Sequence, residues 1–253
     1  MSIVGLGNEK KSFVYLDDYI DVNVNWESLH NEISYGIAKS EWSKKYVSSG
    51  VHQDWADKEI TPLMRKAEQI LTLEQKLLMR SLQTTDEKLK FMAALKDVPH
   101  PFWLLYLRNN KRVEYSGIAN KAVQADCEWT SNAKYFPKLV TFIKSMPFTE
   151  IGRIVFFMTE PNNDLVPHYD AADTAQRNTK KPDDFIWFTT KPGTKRMFVM
   201  DGETKERYYA DSSKKFVWWN EMDYHGTEAV SHFAFSIRID GKFKPEITEA
   251  LLG

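Results

Sequence analysis

Two kinds of hydrophobic pattern follow one another along this chain. From about residue 26 to residue 96, apolar positions recur at three-to-four spacing, which predicts helices. The clearest run is 61–80, where Leu63, Met64, Ala67, Ile70, Leu71, Leu77 and Leu78 fall on one face. Thr61 and Pro62 suit the N-cap and first turn of that helix. A second helix is predicted over 84–95, because Thr84 and Glu87 have the spacing of a capping box. A third, over 135–146, stops before Pro147.

Residues 12–20 read as a short strand and turn, and 101–108 as an aromatic-rich buried strand. From Ile151 onward short β-type runs follow one another over 152–158, 185–190, 195–200, 205–209, 215–219 and 232–240. Pro161-Asn162-Asn163-Asp164, Lys191-Pro192-Gly193, Asp201-Gly202 and Asp240-Gly241 break them. Asp201-Gly202 is a hairpin signal. Strands at this spacing predict a sandwich or jelly roll, with the earlier helices packed on one face. No stretch reads as a linker. The expectation is therefore one α+β domain over 1–253, with a helix-rich part over 1–148 and a β core over 149–241.

Composition narrows the function classes. Apolar residues make up 42% of 253, enough for a sizeable core. The net charge is −1 and no window is strongly basic, which argues against nucleic acid as partner. No apolar run approaches the length of a membrane span, and 1–11 lacks the pattern of a signal peptide. The single cysteine, Cys127, has no internal disulfide partner, so a reducing, cytoplasmic setting is expected.

The candidate chemistry begins at His168-Tyr169-Asp170, after a strand and a Pro/Asn-rich turn. In extended chain, residues two apart point the same way, so His168 and Asp170 share a side and Tyr169 faces the other. One imidazole and one carboxylate are two of the three ligands of a facial triad, which suits non-haem Fe(II) and leaves positions open. His225 is the candidate third ligand. With six His and 35 acidic residues, a His-x-acid triplet is expected about once by chance, so context decides. His52-Gln53-Asp54 is a second copy, with His100, Arg108 and Arg112 downstream. It lies in a mostly helical stretch and reads as a solvated loop.

The His168 copy is followed by strands, by His225, and by an alternating run over 232–240. There Phe233, Phe235, Ile237 and Ile239 share one face, and Ala234, Ser236 and Arg238 the other. If helices cover the Phe/Ile face, Arg238 points into the barrel. A buried guanidinium needs an anion, and its planar fork matches a carboxylate. Ser236 adds a hydroxyl. The alternative is a plain amphipathic strand with Arg238 in solvent.

This order of His-x-Asp, strands, His and late-strand Arg resembles the Fe(II)/2-oxoglutarate-dependent oxygenase superfamily, over 151–241. Pro192-Gly193, the run Phe198-Val199-Met200-Asp201-Gly202-Glu203, and Trp219-Asn220 ahead of His225 resemble its aspartyl/asparaginyl β-hydroxylase-like branch. The resemblance implies a double-stranded β-helix (jelly roll). It also implies Fe(II) on His168, Asp170 and His225, and 2-oxoglutarate on Arg238 and Ser236. The implied reaction couples oxidative decarboxylation of the keto acid to hydroxylation of an unactivated C–H bond, in an amino-acid side chain, a peptide or a small metabolite. Asp170 favours hydroxylation over halogenation. Where members of that branch often carry a second cosubstrate-binding Arg, this chain has Asp183-Asp184, which shifts the load to Arg238.

Other residues read more blandly. Arg153 and Arg196 are expected in solvent, Trp187, Trp218 and Trp219 in the core, and His30 on a helix in a structural role. The polar stretch 171–184 is either a lid or an ordinary loop. Two other function classes stay open: a jelly-roll metal or small-ligand binding protein without redox chemistry, and an interaction protein with an accidental His-x-Asp.

Overall fold

In the computed structural model, residues 3–20, 24–40, 43–45, 71–84, 87–88, 91, 102–110, 127–162, 165–170, 181–191 and 193–252 are described. The second copy at His52, Asp54 and His100, Arg112, and the stretch 171–180 lie outside them, as do 61–70 of the expected long helix.

Helix α1 (Trp26–Lys39) starts where the Asn25 side chain accepts the Ser28 N–H at 2.9 Å. Its Leu29, Ile33, Gly36 and Ile37 form the buried stripe that the spacing predicts. Helix α2 (Leu73–Ser81) starts at a capping box between Thr72 and Gln75, inside the stretch expected to run as one helix to residue 80. The Thr84–Glu87 box forms as expected, Glu87 N–H donating to the Thr84 hydroxyl at 3.2 Å and Thr84 N–H to the Glu87 carboxylate at 2.9 Å. Helix α3 (Pro137–Lys144) carries Pro at its first turn, and Glu32 of α1 accepts the N–H groups of Lys138 and Leu139. Helix α4 (Pro245–Leu252) follows the last strand and was not legible beforehand. No described helix is long and apolar enough to cross a membrane.

The strands are β1 (Val14–Tyr15), β2 (Ser43–Lys45), β3 (Phe102–Asn110), β4 (Cys127–Trp129), β5 (Phe148–Thr159), β6 (Leu165–His168), β7 (Phe185–Phe188), β8 (Met197–Met200), β9 (Arg207–Tyr209), β10 (Phe216–Trp218), β11 (Tyr224–Thr227) and β12 (Ala234–Phe243). All their pairings are antiparallel. The large sheet runs β1-β10-β7-β12-β5-β3-β2, with β4 beside β3; the small sheet runs β6-β11-β8-β9. The architecture is α+β.

The helices α1 and α3 cover one face of the large sheet. Leu29, Ile33, Leu139, Phe142 and Phe136 pack there with Phe156, Phe188, Ile237 and Ile239. Phe142 meets Phe188 edge-on at 6.1 Å, and Phe136 lies 5.3 Å from Phe156. This meets the condition set by the alternation over 232–240: with the Ile face under helices, the Ser236/Arg238 face turns towards the interior.

Candidate metal centre

His168 ends β6 and His225 sits on β11, and the two are direct cross-strand partners. Side chains directly opposite on paired strands stand on the same face, which brings the two rings to 4.5 Å between centroids. Asp170 follows His168 by two positions, so its carboxylate projects the same way, 3.7 Å from His168 Nε2. Its backbone N–H is held by the Glu221 carbonyl at 2.8 Å. Tyr169 points away and packs with Tyr224, Phe198, Met200 and Met222 on the other face of the small sheet. One ligand atom from each of His168, Asp170 and His225 lies within 4.8 Å of the others.

Both histidines are buried, at 3% and 4% exposure. Burial, reinforced by the neighbouring His168, pushes the His225 pKa down to about 3, so the ring is neutral and able to act as a ligand. Its Nδ1 lies 2.9 Å from the Asp223 carbonyl oxygen, which selects the tautomer with Nδ1 protonated and Nε2 free for a cation. The Asp223 carboxylate in turn accepts the N–H groups of Val4 and Gly5 at 2.6 and 2.8 Å.

Arg238 is buried and does not lie in solvent. Its Nε donates to Asp240 at 2.7 Å and its Nη1 to Asp170 at 3.1 Å. Its Nη2 is buried with no hydrogen-bond partner among the described residues, and the same holds for the hydroxyls of Ser236 and Thr227 and the indole N–H of Trp219. Burial alone would lower the Arg238 pKa; the carboxylates of Asp240, Asp170 and Glu221 outweigh it and raise it.

Two residues depart from the sequence expectation. Arg153 was expected in solvent; it is buried and paired with Asp240 at 2.5 Å. Lys195 is expected only as the first residue of the β-type run 195–200. It is buried, its Nζ donates to the Phe157 carbonyl at 2.8 Å, and burial lowers its pKa to about 7. Phe157 is the cross-strand partner of Ser236, and Lys195 lies two residues before Met197, the partner of Thr227. The buried Lys195 amine thus lies on the stretch of strand that carries the Ser236 and Thr227 hydroxyls, which have no partner among the described residues. No local signal distinguishes such a lysine from a surface one; only the packing of the small sheet against β5 buries it.

The remaining candidates behave as follows. Trp219 and Trp187 face the site, with Trp219 at 5.4 Å from the His225 ring, while Trp218 packs against Phe243 on the opposite face. Arg196 is exposed, paired with Glu228 and stacked on Tyr209. His30 bonds Thr190 at 2.7 Å and stacks on Phe235, a structural role. Arg108 lies over Trp129 and bonds the Ile151 carbonyl. Cys127 is buried and forms no disulfide.

No family model matches the chain, and no curated protein matches it. Among solved structures it is similar to a prolyl-4-hydroxylase from Pseudomonas putida, at 8% identity and a TM-score of 0.33, covering 86% of this chain and 98% of that one. It is also similar to a prolyl hydroxylase from Trichoplax adhaerens in complex with a hypoxia inducible factor peptide fragment, at 10% identity and 0.33, over 92% and 98%. A 2OG-Fe(II) oxygenase family oxidoreductase from Burkholderia pseudomallei matches at 11% identity and 0.34, over 56% and 71%.

Proposed function

We propose that this chain is an Fe(II)- and 2-oxoglutarate-dependent oxygenase that hydroxylates an unactivated C–H bond of an amino-acid side chain or small metabolite. The observation that carries the reading is the convergence of His168, Asp170 and His225 on one face of paired strands, beside buried donors that have no partner among the described residues. The strand order supports a jelly roll. Counting β5 to β12 as one to eight, the large sheet contains 6-3-8-1 and the small sheet is 2-7-4-5, the alternation of a double-stranded β-helix.

The donor set fits the metal. Two imidazoles and one carboxylate form the facial triad suited to Fe(II), which leaves positions for a chelating keto acid and dioxygen. The metal would supply dioxygen activation coupled to decarboxylation of the keto acid. His168, Asp170 and His225 would hold it, with His225 presenting Nε2 because the Asp223 carbonyl takes Nδ1.

The cosubstrate site fits less simply than one arginine gripping one carboxylate. Arg238 already faces Asp240 and Asp170, so only Nη2 remains for an incoming anion. Ser236 and Thr227 offer hydroxyls, and Lys195 offers an amine that bonds the Phe157 carbonyl and no carboxylate among the described residues. We assign the dicarboxylate to Ser236 and Arg238 as the sequence suggests, with Lys195 and Thr227 added. Burial of these groups excludes water and raises the worth of each charge–charge contact.

Anaerobic titration of the apo-protein with Fe(II), then 2-oxoglutarate, tests the proposal. The expected result is a weak visible charge-transfer band from the chelated keto acid. Fe(II) binding with no band would instead support a metal-binding module without redox chemistry. Absence of Fe(II) binding would make the His168–Asp170 pairing coincidental.

A further inference from the structure

The two oxygens of Asp170 face different ways. Oδ1 lies 3.7 Å from His168 Nε2, on the side of the histidines, and Oδ2 accepts Arg238 Nη1 at 3.1 Å. Arg238 is itself fixed from two directions. Its Nε donates to Asp240 Oδ1 at 2.7 Å, and its guanidinium carbon sits 3.7 Å from the centre of the Phe185 ring. Asp240 Oδ2 takes Arg153 Nε at 2.5 Å. Asp240 lies where the register between β12 and β5 shifts, between Ile239 and Gly241. Such an irregularity re-aims side chains, and here Asp240 meets Arg153 of β5.

Arg153, Asp240 and Arg238 are all buried. Burying three charges costs desolvation, and packed apolar residues at such places are often equally stable or more so. Stability is therefore a poor account of the chain Arg153–Asp240–Arg238–Asp170. We infer that Arg238 is a positioning residue for Asp170: it pins one carboxylate oxygen so that the other alone is offered to a metal, and Arg153 and Asp240 hold Arg238 in that pose. A carboxylate restricted to one oxygen leaves one more coordination position open than a chelating one. The inference rests on the metal reading of the site and assigns Arg238 work that begins before any keto acid binds.

Co(II) titration of the full chain without keto acid, followed by calorimetry and by the visible d–d absorption of the bound ion, tests it. Asp240→Asn and Arg153→Gln leave every proposed ligand in place, and Arg238→Lys keeps the charge but loses the fork. The expected result is Co(II) binding weakened about 10–100-fold in all three, with partial recovery in Arg153→Lys. The d–d band should also change in position and intensity as Asp170 becomes free to turn. A purely structural role would lower the thermal midpoint and leave the affinity and band as in the wild type. Folded variants whose Co(II) affinity stays within about two-fold, with the same band, overturn the inference alone. A wild-type protein that fails to bind Co(II) overturns the metal reading and the inference with it. Should Arg238→Lys fail to fold, Asp240→Asn and Arg153→Gln decide the matter.

Discussion

His168 and His225 face each other across the pair β6 and β11, with ring centroids 4.5 Å apart. Neighbouring strands are fixed by backbone hydrogen bonds, so the spacing of the rings does not depend on a bound ion. Removing either ring should cost binding and not folding. We expect His168→Ala and His225→Ala each to weaken Fe(II) or Co(II) binding by roughly 100-fold or more, as loss of one ligand among three implies. The far-UV circular dichroism should be unchanged. His52→Ala should bind as the wild type does. Calorimetric titration checks all three, and normal binding in both His168→Ala and His225→Ala would remove them as ligands.

Lys195 gives a pH signature. Its pKa falls from 10.5 in the open chain to about 7 in the fold because burial penalises the ammonium. The folded state thus binds fewer protons than the unfolded state between those values. Stability should rise as pH increases from about 7 towards 10.5, and the full penalty applies below 7. Lys195→Met should therefore stabilise the apo-protein at pH 6, by roughly 1–4 kcal/mol, and flatten that rise. The same variant should lose affinity for 2-oxoglutarate. In the wild type that affinity should decline above pH 7, since an anion held by the ammonium requires the proton to be taken up. Denaturant unfolding and keto-acid titration at several pH values check both halves. A variant less stable than the wild type at pH 6, or one that binds the keto acid normally, would count against this role.

Asp223 ties the N-terminal segment to the loop that leads into His225. Its carboxylate accepts two N–H groups, from Val4 and Gly5, while its carbonyl orients His225. Gly5 has φ +70°, and a Cβ there would meet the Lys10 backbone at 2.4 Å, so the segment reaches Asp223 only through glycine. Asp223→Ala leaves two N–H donors without their acceptor and loosens the loop. We expect a loss of about 1–3 kcal/mol in stability and about ten-fold in metal affinity. Gly5→Ala should reproduce both losses. Thermal unfolding beside Co(II) titration separates the two effects, and unchanged affinity in Asp223→Ala would confine the residue to a structural role.

Much of this site could be read from local periodicity. Alternation placed Arg238 opposite Ile237 and Ile239, and two-residue spacing placed His168 with Asp170 and against Tyr169. What was not legible depends on contacts distant in sequence. Arg238 meets Asp170 across 68 residues, and Arg153 meets Asp240 across 87. An arginine in an apolar run looks the same whether its partner is water or a buried carboxylate. β5 extends to Phe148 because β12 continues to Phe243 and pairs with it, whereas the apolar run alone ended nearer Gly152. The short strands β6 and β11 carry too few β-type residues to register as strands, and only their histidines mark them. Helix α2 starts at the Thr72–Gln75 box, a signal hidden inside a longer periodic stretch.

Gly36 shows packing overruling propensity. It lies in the buried face of α1, where a Cβ would stand 2.5 Å from the Phe136 ring. Phe136 is itself fully buried, caps α3 and packs on Phe156 of β5. In an exposed helix, Gly→Ala gains about 1 kcal/mol. Here the methyl group must push an aromatic ring that has no room to retreat, and overpacking of this kind costs about 1–3 kcal/mol. Gly36→Ala should therefore destabilise the protein despite its better helix propensity, by about 1 kcal/mol net. The proposed metal site lies on the other face of the large sheet, so Co(II) affinity should be unchanged while the unfolding midpoint falls. A raised midpoint would mean that α1 can shift off the sheet at little cost. The packing that turns Arg238 inward would then be looser than the contact of Gly36 with Phe136 implies.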